Sequence, residues 1–162
     1  MEYEVIDNYL TDEEHQTICD EIVKNINFAL YISNGVSYTN KDDGYYFTHH
    51  LYNNFTHTSD KFILIHPILN KLNPFSLTRI KVNFYPKTPK IVKHGWHTDY
   101  DIPHKGAIYY LNTNNGKTIL EDGTEIDSVA NRILLFDPSV KHRSTTCTDD
   151  SHGRYNINFN FM

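Results

Sequence analysis

His97 and Asp99, inside Lys93-His-Gly-Trp-His-Thr-Asp-Tyr100, are the residues best spaced for chemistry in this chain. Two positions apart on an extended strand, an imidazole and a carboxylate leave the same face and can take adjacent corners of a divalent metal's coordination sphere. With ten His and thirteen Asp in 162 residues, roughly 0.8 such pairs arise by chance. The pair gains weight only from its setting. Two imidazoles and one carboxylate on one side of a metal, with positions left open, suit non-haem Fe(II). A second imidazole must come from elsewhere, and His142 stands at the start of a predicted strand. The other histidines fit less well. His94 is three residues from His97, an awkward offset on a strand, and His104 follows Pro103 in a loop. His66 reads as core and His152 as a solvated turn residue.

The elements that must position these groups fall in two parts. Over residues 1–75 the pattern is helical support and a lid-like segment. Thr11-Asp-Glu-Glu14 is a capping box opening a helix over 12–28, with Ile18, Ile22, Val23 and Ile26 at helical spacing. Residues 31–58, rich in Asn, Asp, Gly and Tyr without a steady period, read as a long irregular segment. Ser59 caps a second helix over 60–72, which Pro67 kinks or splits.

From residue 76 the texture changes to short strands. They are Leu77–Tyr85, Lys93–Asp99, Ala107–Asn112, Lys117–Leu120, Thr124–Asp127, Arg132–Phe136, Lys141–Cys147 and Arg154–Phe161. Turn signals separate them, including Asn114-Asn-Gly116, Asp122-Gly123 and Ser151-His-Gly153. The expected class is mainly β with flanking α-helices: one domain over 1–162, its eight-stranded sandwich or barrel core at 76–162. In the first of these strands Ile80, Val82 and Phe84 share one face, and Arg79, Lys81, Asn83 and Tyr85 the other. In the last, Tyr155, Ile157, Phe159 and Phe161 oppose Arg154, Asn156, Asn158 and Asn160. Such polar faces either meet water or line a hydrophilic lumen.

Bulk properties narrow the partners. A net charge of −5 gives no basic footprint for nucleic acid, and no apolar run is long enough to span a bilayer. Two cysteines make no disulfide framework, and the start lacks a secretory pattern, so a cytoplasmic location is expected. Nothing fixes the oligomeric state.

The order His97-Thr-Asp99, Gly106-Ala-Ile-Tyr-Tyr-Leu-Asn112, Asp122-Gly123, Asn131-Arg-Ile-Leu-Leu-Phe-Asp137, His142 and Arg154-Tyr-Asn156 resembles the 2-oxoglutarate/Fe(II)-dependent dioxygenase superfamily. It is most similar to small prolyl-hydroxylase-like members, including compact ones of phage type. The likeness covers residues 77–162 well and the N-terminal part in outline. It implies a double-stranded β-helix (jelly roll) in which His97, Asp99 and His142 hold Fe(II) and Arg154 holds the far carboxylate of 2-oxoglutarate. Asn83, Tyr85 and Asn156 are further candidates to hydrogen-bond this cosubstrate. The implied reaction hydroxylates a C–H bond with O2, releasing succinate and CO2, on a peptide or protein side chain or a small metabolite. Two other readings stay open: a non-catalytic jelly-roll binding module, and a zinc hydrolase. One geometric condition is sharp. If the last two strands formed a simple hairpin, Arg154 would lie five residues, roughly 16 Å, from the level of His142. A five-carbon diacid cannot bridge that gap, so the site needs those strands in opposite sheets.

Overall fold

The computed structural model describes residues 2–36, 44–149 and 152–162. Its elements run β1 (Tyr3–Ile6), α1 (Asp12–Ile22), β2 (Tyr31–Asn34), β3 (Tyr45–Asn53), β4 (Thr56–His57), a 3-10 helix (Asp60–Ile65) and α2 (His66–Leu72). They continue with β5 (Leu77–Pro86), β6 (Lys105–Tyr110), β7 (Asn114–Leu120), β8 (Glu125–Ser128), β9 (Arg132–Phe136), β10 (His142–Ser144) and β11 (Gly153–Phe161). The large sheet has the order β1-β9-β6-β11-β5-β3-β2, with β4 on β3, and the small one β10-β7-β8. The chain is thus mainly β with two short α-helices. No helix among the described residues is long and apolar enough to cross a membrane.

Alternation on β5 and β11 sets the layers. Their apolar faces, with Ile80, Val82, Ile157, Phe159 and Phe161, join Ile18 and Ile22 of α1 and Ile65 and Ile68 of the second helical segment in one buried cluster. The helices therefore cover the outer face of the large sheet. The opposite faces are buried as well: Asn83, Tyr85, Arg154, Asn156, Asn158 and Asn160 all lie in the interior. The polar face is a lumen wall and not a wet surface.

Several expectations need correction. Helix α1 begins at the expected capping box, where the Thr11 hydroxyl accepts from the Glu14 amide. It ends at Ile22, well before residue 28, because Asn25 turns the chain: its side chain accepts from the Asn27 amide and its carbonyl from that of Phe28. Ile26 is consequently 97% exposed. The second helix is split as Pro67 suggested, with the proline at the start of α2, where a missing N–H costs nothing. His66 there is exposed and not core.

The stretch 31–58 is largely strand. β3 pairs with β5, setting Thr48 opposite Asn83 and His50 opposite Lys81, and a register shift between His50 and Tyr52 breaks its period. Its inward residues are polar or aromatic, so the apolar alternation that reveals a strand was missing. Residues 37–43 of that stretch, and Ser151 of the last predicted turn, lie outside the described residues. Lys93–Asp99 is not a continuous strand but makes two isolated bridges, Lys93 to Thr145 and His97 to His142. Of the eight expected core strands, this is the one missing. Asn114–Gly116 is not a turn either; it starts β7 with a register shift before Lys117. The hairpin condition is met: β10 pairs with β7 in the small sheet, while β11 lies between β5 and β6 in the large one.

Candidate metal centre

His97 and His142 face each other through reciprocal backbone hydrogen bonds, His97 N to His142 O at 3.0 Å and His142 N to His97 O at 2.9 Å. The bridge brings their rings to 4.5 Å between centroids. Asp99 is anchored two residues on by its amide, which donates to the Pro138 carbonyl at 2.9 Å. Pro138 reaches that position because Gly106 lies under it; a Cβ there would stand 2.5 Å from Pro138 Cγ. One ligand-type atom from each of His97, Asp99 and His142 then lies within 4.8 Å of the others. Nδ1 of His97 faces the Gly95 carbonyl at 3.3 Å, and Nδ1 of His142 faces that of Val140 at 3.1 Å. Carbonyls accept only, so both Nδ1 atoms carry the proton and both Nε2 lone pairs are free for a metal.

Burial alone would raise the Asp99 carboxyl. The Arg79 guanidinium, followed by His142, Lys81 and His97, overcomes this and holds it well below the usual carboxylate range. Arg79 Nη2 lies 3.0 Å from Asp99 Oδ1 with both side chains largely buried. The contact is an ion pair without hydrogen-bond alignment, so Nη2 and Nε of Arg79 still lack hydrogen-bond partners. On the other oxygen, Asn158 Nδ2 donates to Asp99 Oδ2 at 3.2 Å.

His97 is pushed down to about 4, by burial first and then by His142, with Asp99 opposing. His50 is also lowered to about 4, by burial and then by Lys81, Arg79 and His49. Both rings are neutral at pH 7 and remain so in the fold as the pH drops. In the unfolded chain they take up protons near pH 6.5. Stability contributed by the two neutral rings is therefore complete above about pH 6.5 and is lost as the pH falls toward 4. The urea midpoint of the metal-free protein is expected to fall from pH 7 to pH 5, and the double substitution His50→Gln, His97→Gln should flatten that slope. An unchanged midpoint across the interval would contradict the assignment.

Arg154 is fully buried in the same lumen. Nε donates to Ser128 Oγ at 2.7 Å and Nη2 to Thr118 Oγ1 at 2.8 Å. The rings of Tyr85 and Tyr110 flank the guanidinium at 5.4 and 5.7 Å. Nη1 is buried and has no partner. In the small sheet Thr118 pairs with Ser144 and Leu120 with His142. The guanidinium thus sits two residues, about 7 Å, from the level of His142, close enough for a five-carbon diacid. The Asn-Gly sequence mistaken for a turn makes room for it, since a Cβ on Gly116 would stand 2.8 Å from Arg154 Cδ.

The other sequence-predicted residues line the same wall. Tyr85 stacks on Tyr46 at 5.4 Å and on His94 at 5.3 Å, and burial pushes its hydroxyl up to about 12. It is a neutral donor at every working pH. Asn83 Nδ2 donates to Asn156 Oδ1 at 3.0 Å, leaving Asn83 Oδ1 buried without a partner. Turning both amides over keeps their mutual bond and presents Nδ2 instead, the orientation a carboxylate selects. Sequence reasoning placed Arg79 and Asn158 on the polar faces of their strands without giving them a role, and it missed Ser128 and Thr118. Only the alternation of β5 and β11 signals Arg79 and Asn158; the hydroxyls carry no signal.

No protein-family profile matches the sequence, and no curated protein does. Solved structures do match. A viral collagen prolyl hydroxylase from Paramecium bursaria Chlorella virus-1, solved as its 2OG complex, aligns with 98% of this chain and 93% of its own at TM-score 0.66 and 14% identity. A Trichoplax adhaerens prolyl hydroxylase, in complex with a hypoxia inducible factor peptide fragment, aligns with 98% and 83% at TM-score 0.64 and 16% identity. An oxidoreductase of the 2OG-Fe(II) oxygenase family from Burkholderia pseudomallei aligns with 98% and 84% at TM-score 0.72 and 8% identity. With the two sheets and the outer helices described above, the chain carries the jelly-roll fold of the 2OG-Fe(II) oxygenases.

Proposed function

We propose that the protein is an Fe(II)- and 2-oxoglutarate-dependent oxygenase that hydroxylates a C–H bond of a peptide side chain or a small molecule. The observation that carries this reading is Arg154: a buried cation, pinned by two hydroxyls, with one unpartnered donor at a diacid's reach from a His-Asp-His cluster. The donor set suits Fe(II), being two imidazoles and a carboxylate on one side, with no fourth protein ligand among the described residues. Iron with 2-oxoglutarate supplies the oxidation, in which the keto acid is decarboxylated to succinate and one oxygen atom of O2 ends in the substrate.

The chain's own residues bind, orient and exclude water. Arg154 grips the far carboxylate through Nη1, its planar fork held in line by Ser128 and Thr118. Tyr85 and the Asn83–Asn156 pair hydrogen-bond along the cosubstrate. Asp99 stays ionised beside Arg79, so it meets the metal without a proton to lose. A zinc hydrolase has no use for a buried arginine facing the cluster, and a mere binding module none for ligands that converge.

The test is anaerobic. Adding Fe(II) and then 2-oxoglutarate to the purified protein should produce a visible metal-to-ligand absorption band, and admitting O2 should release succinate slowly without substrate. His97→Ala should abolish both signals. No band, with Zn(II) supporting hydrolysis of a model ester instead, would sink the oxygenase reading. Faster succinate release in a screen of peptides and small acids then identifies the substrate.

A further inference from the structure

A buried histidine outside the metal cluster still lacks a role. His104 lies between β5 and β6 in sequence, outside the cluster, yet it is only 9% exposed. Its Nε2 is 2.7 Å from Asn160 Oδ1 and its Nδ1 is 2.8 Å from the Ile102 carbonyl. Asn160 Nδ2 donates to Asn158 Oδ1 at 2.6 Å, and Asn158 Nδ2 donates to Asp99 Oδ2 at 3.2 Å. The polarity of this chain is set from its inner end. An ionised carboxylate only accepts, so Asn158 must turn its NH2 toward Asp99 and its oxygen away. Asn160 must then turn its NH2 toward Asn158, which leaves its oxygen for His104. Amide orientation is often ambiguous, but here each link forces the next. His104 closes the chain with a ring N–H toward the Asn160 amide oxygen, which can only accept.

We propose that His104 is a positioning residue for the metal centre: through Asn160 and Asn158 it holds the carboxylate plane of Asp99 and feeds positive potential to Oδ2. This rests on the oxygenase reading for the identity of the metal. Aligned amides polarise one another, so the donor at one end strengthens the bond at the other. The two oxygens of Asp99 are then held separately, Oδ1 by Arg79 and Oδ2 by the chain of amides. The groups facing His104 are consistent with a donor there. Tyr100 meets its ring edge-on at 5.4 Å, with Arg79 above the same tyrosine at 5.3 Å. On the other side is Asp137. Burial would raise its carboxyl, but the Ser139 hydroxyl and amide, the His104 amide and then the His104 ring together lower it. The bland alternative is polar packing, in which the four groups satisfy one another with no effect on Asp99.

The test measures Fe(II) affinity under anaerobic conditions by competition with a chelator, together with the maximum of the Fe(II)–2-oxoglutarate band. Partners of metal ligands typically contribute 10–100-fold in affinity. His104→Leu should weaken Fe(II) binding by about that factor and shift the band. His104→Gln, which keeps one donor toward Asn160, should restore most of both. Asn160→Asp serves if the leucine variant fails to fold: it keeps an acceptor for His104 but cannot donate to Asn158, so it too should weaken Fe(II). Wild-type affinity and an unshifted band in His104→Leu or Asn160→Asp would overturn the proposal and leave the oxygenase reading standing. A wild-type protein that takes up no Fe(II) would overturn both.

Discussion

Arg154→Leu is expected to lose 2-oxoglutarate while keeping iron. Removing one partner of a buried, hydrogen-bonded charge pair costs about 2–5 kcal/mol. At 1.4 kcal/mol per decade this is a roughly 30-fold to several-thousand-fold loss in affinity for the cosubstrate. Fe(II) uptake should be unchanged, because no contact joins the guanidinium to His97, Asp99 or His142. Stability should move the other way from affinity. In the absence of a diacid the guanidinium is a buried cation with an idle Nη1, and a leucine of smaller polar demand removes that burden. The variant should therefore melt no lower than the parent, although Ser128 and Thr118 each lose a donor. Arg154→Lys keeps the charge but not the fork, and should recover only part of the binding. Tight 2-oxoglutarate binding in the leucine variant, read from the visible band, would remove the central support for the proposed activity.

The second large effect is at Asp99. In metal-free protein Asp99→Ala leaves Arg79 buried without its counter-charge, and breaking such a pair costs about 3–5 kcal/mol. The double variant Arg79→Met, Asp99→Leu removes both charges and should regain most of that loss. A cycle over the two single variants and the double one then isolates their coupling. Iron binding should be lost wherever Asp99 is replaced, whatever the stability. The pair would be mere surface decoration if Asp99→Ala unfolded at the parent's urea concentration.

These two residues mark how far the sequence could be read. Arg154 was legible because β11 alternates cleanly and because its position at the end of the chain of motifs resembles a known pattern. Arg79 was not, since alternation puts it on the polar face of β5 without saying which acid it meets. That partner arrives from the bridge segment 93–99, whose path depends on Gly106, Pro138 and the His97–His142 pairing rather than on any local period. β3 was hidden for a different reason. Its inner face packs polar and aromatic groups against the lumen, so tertiary surroundings, not hydrophobic rhythm, hold it in the sheet. Asn114-Asn-Gly116 misled because Asn-Gly is a strong turn signal, and its glycine answers to the bulk of a side chain from the opposite sheet. His104 and the asparagines that follow it are separated by more than fifty positions, far beyond any spacing rule.

β11 also carries a safeguard. Its odd-numbered side chains build the greasy layer under the helices, and its even-numbered ones build the cavity. Sliding the strand by a single position would exchange the two sets, sending an arginine and three amides into hydrocarbon and four bulky apolar groups into the reaction chamber. Such a misaligned state has no stable refuge. A molecule that has closed its core has, by the same alignment, already aimed its cosubstrate clamp, and a folded but misassembled population should not accumulate.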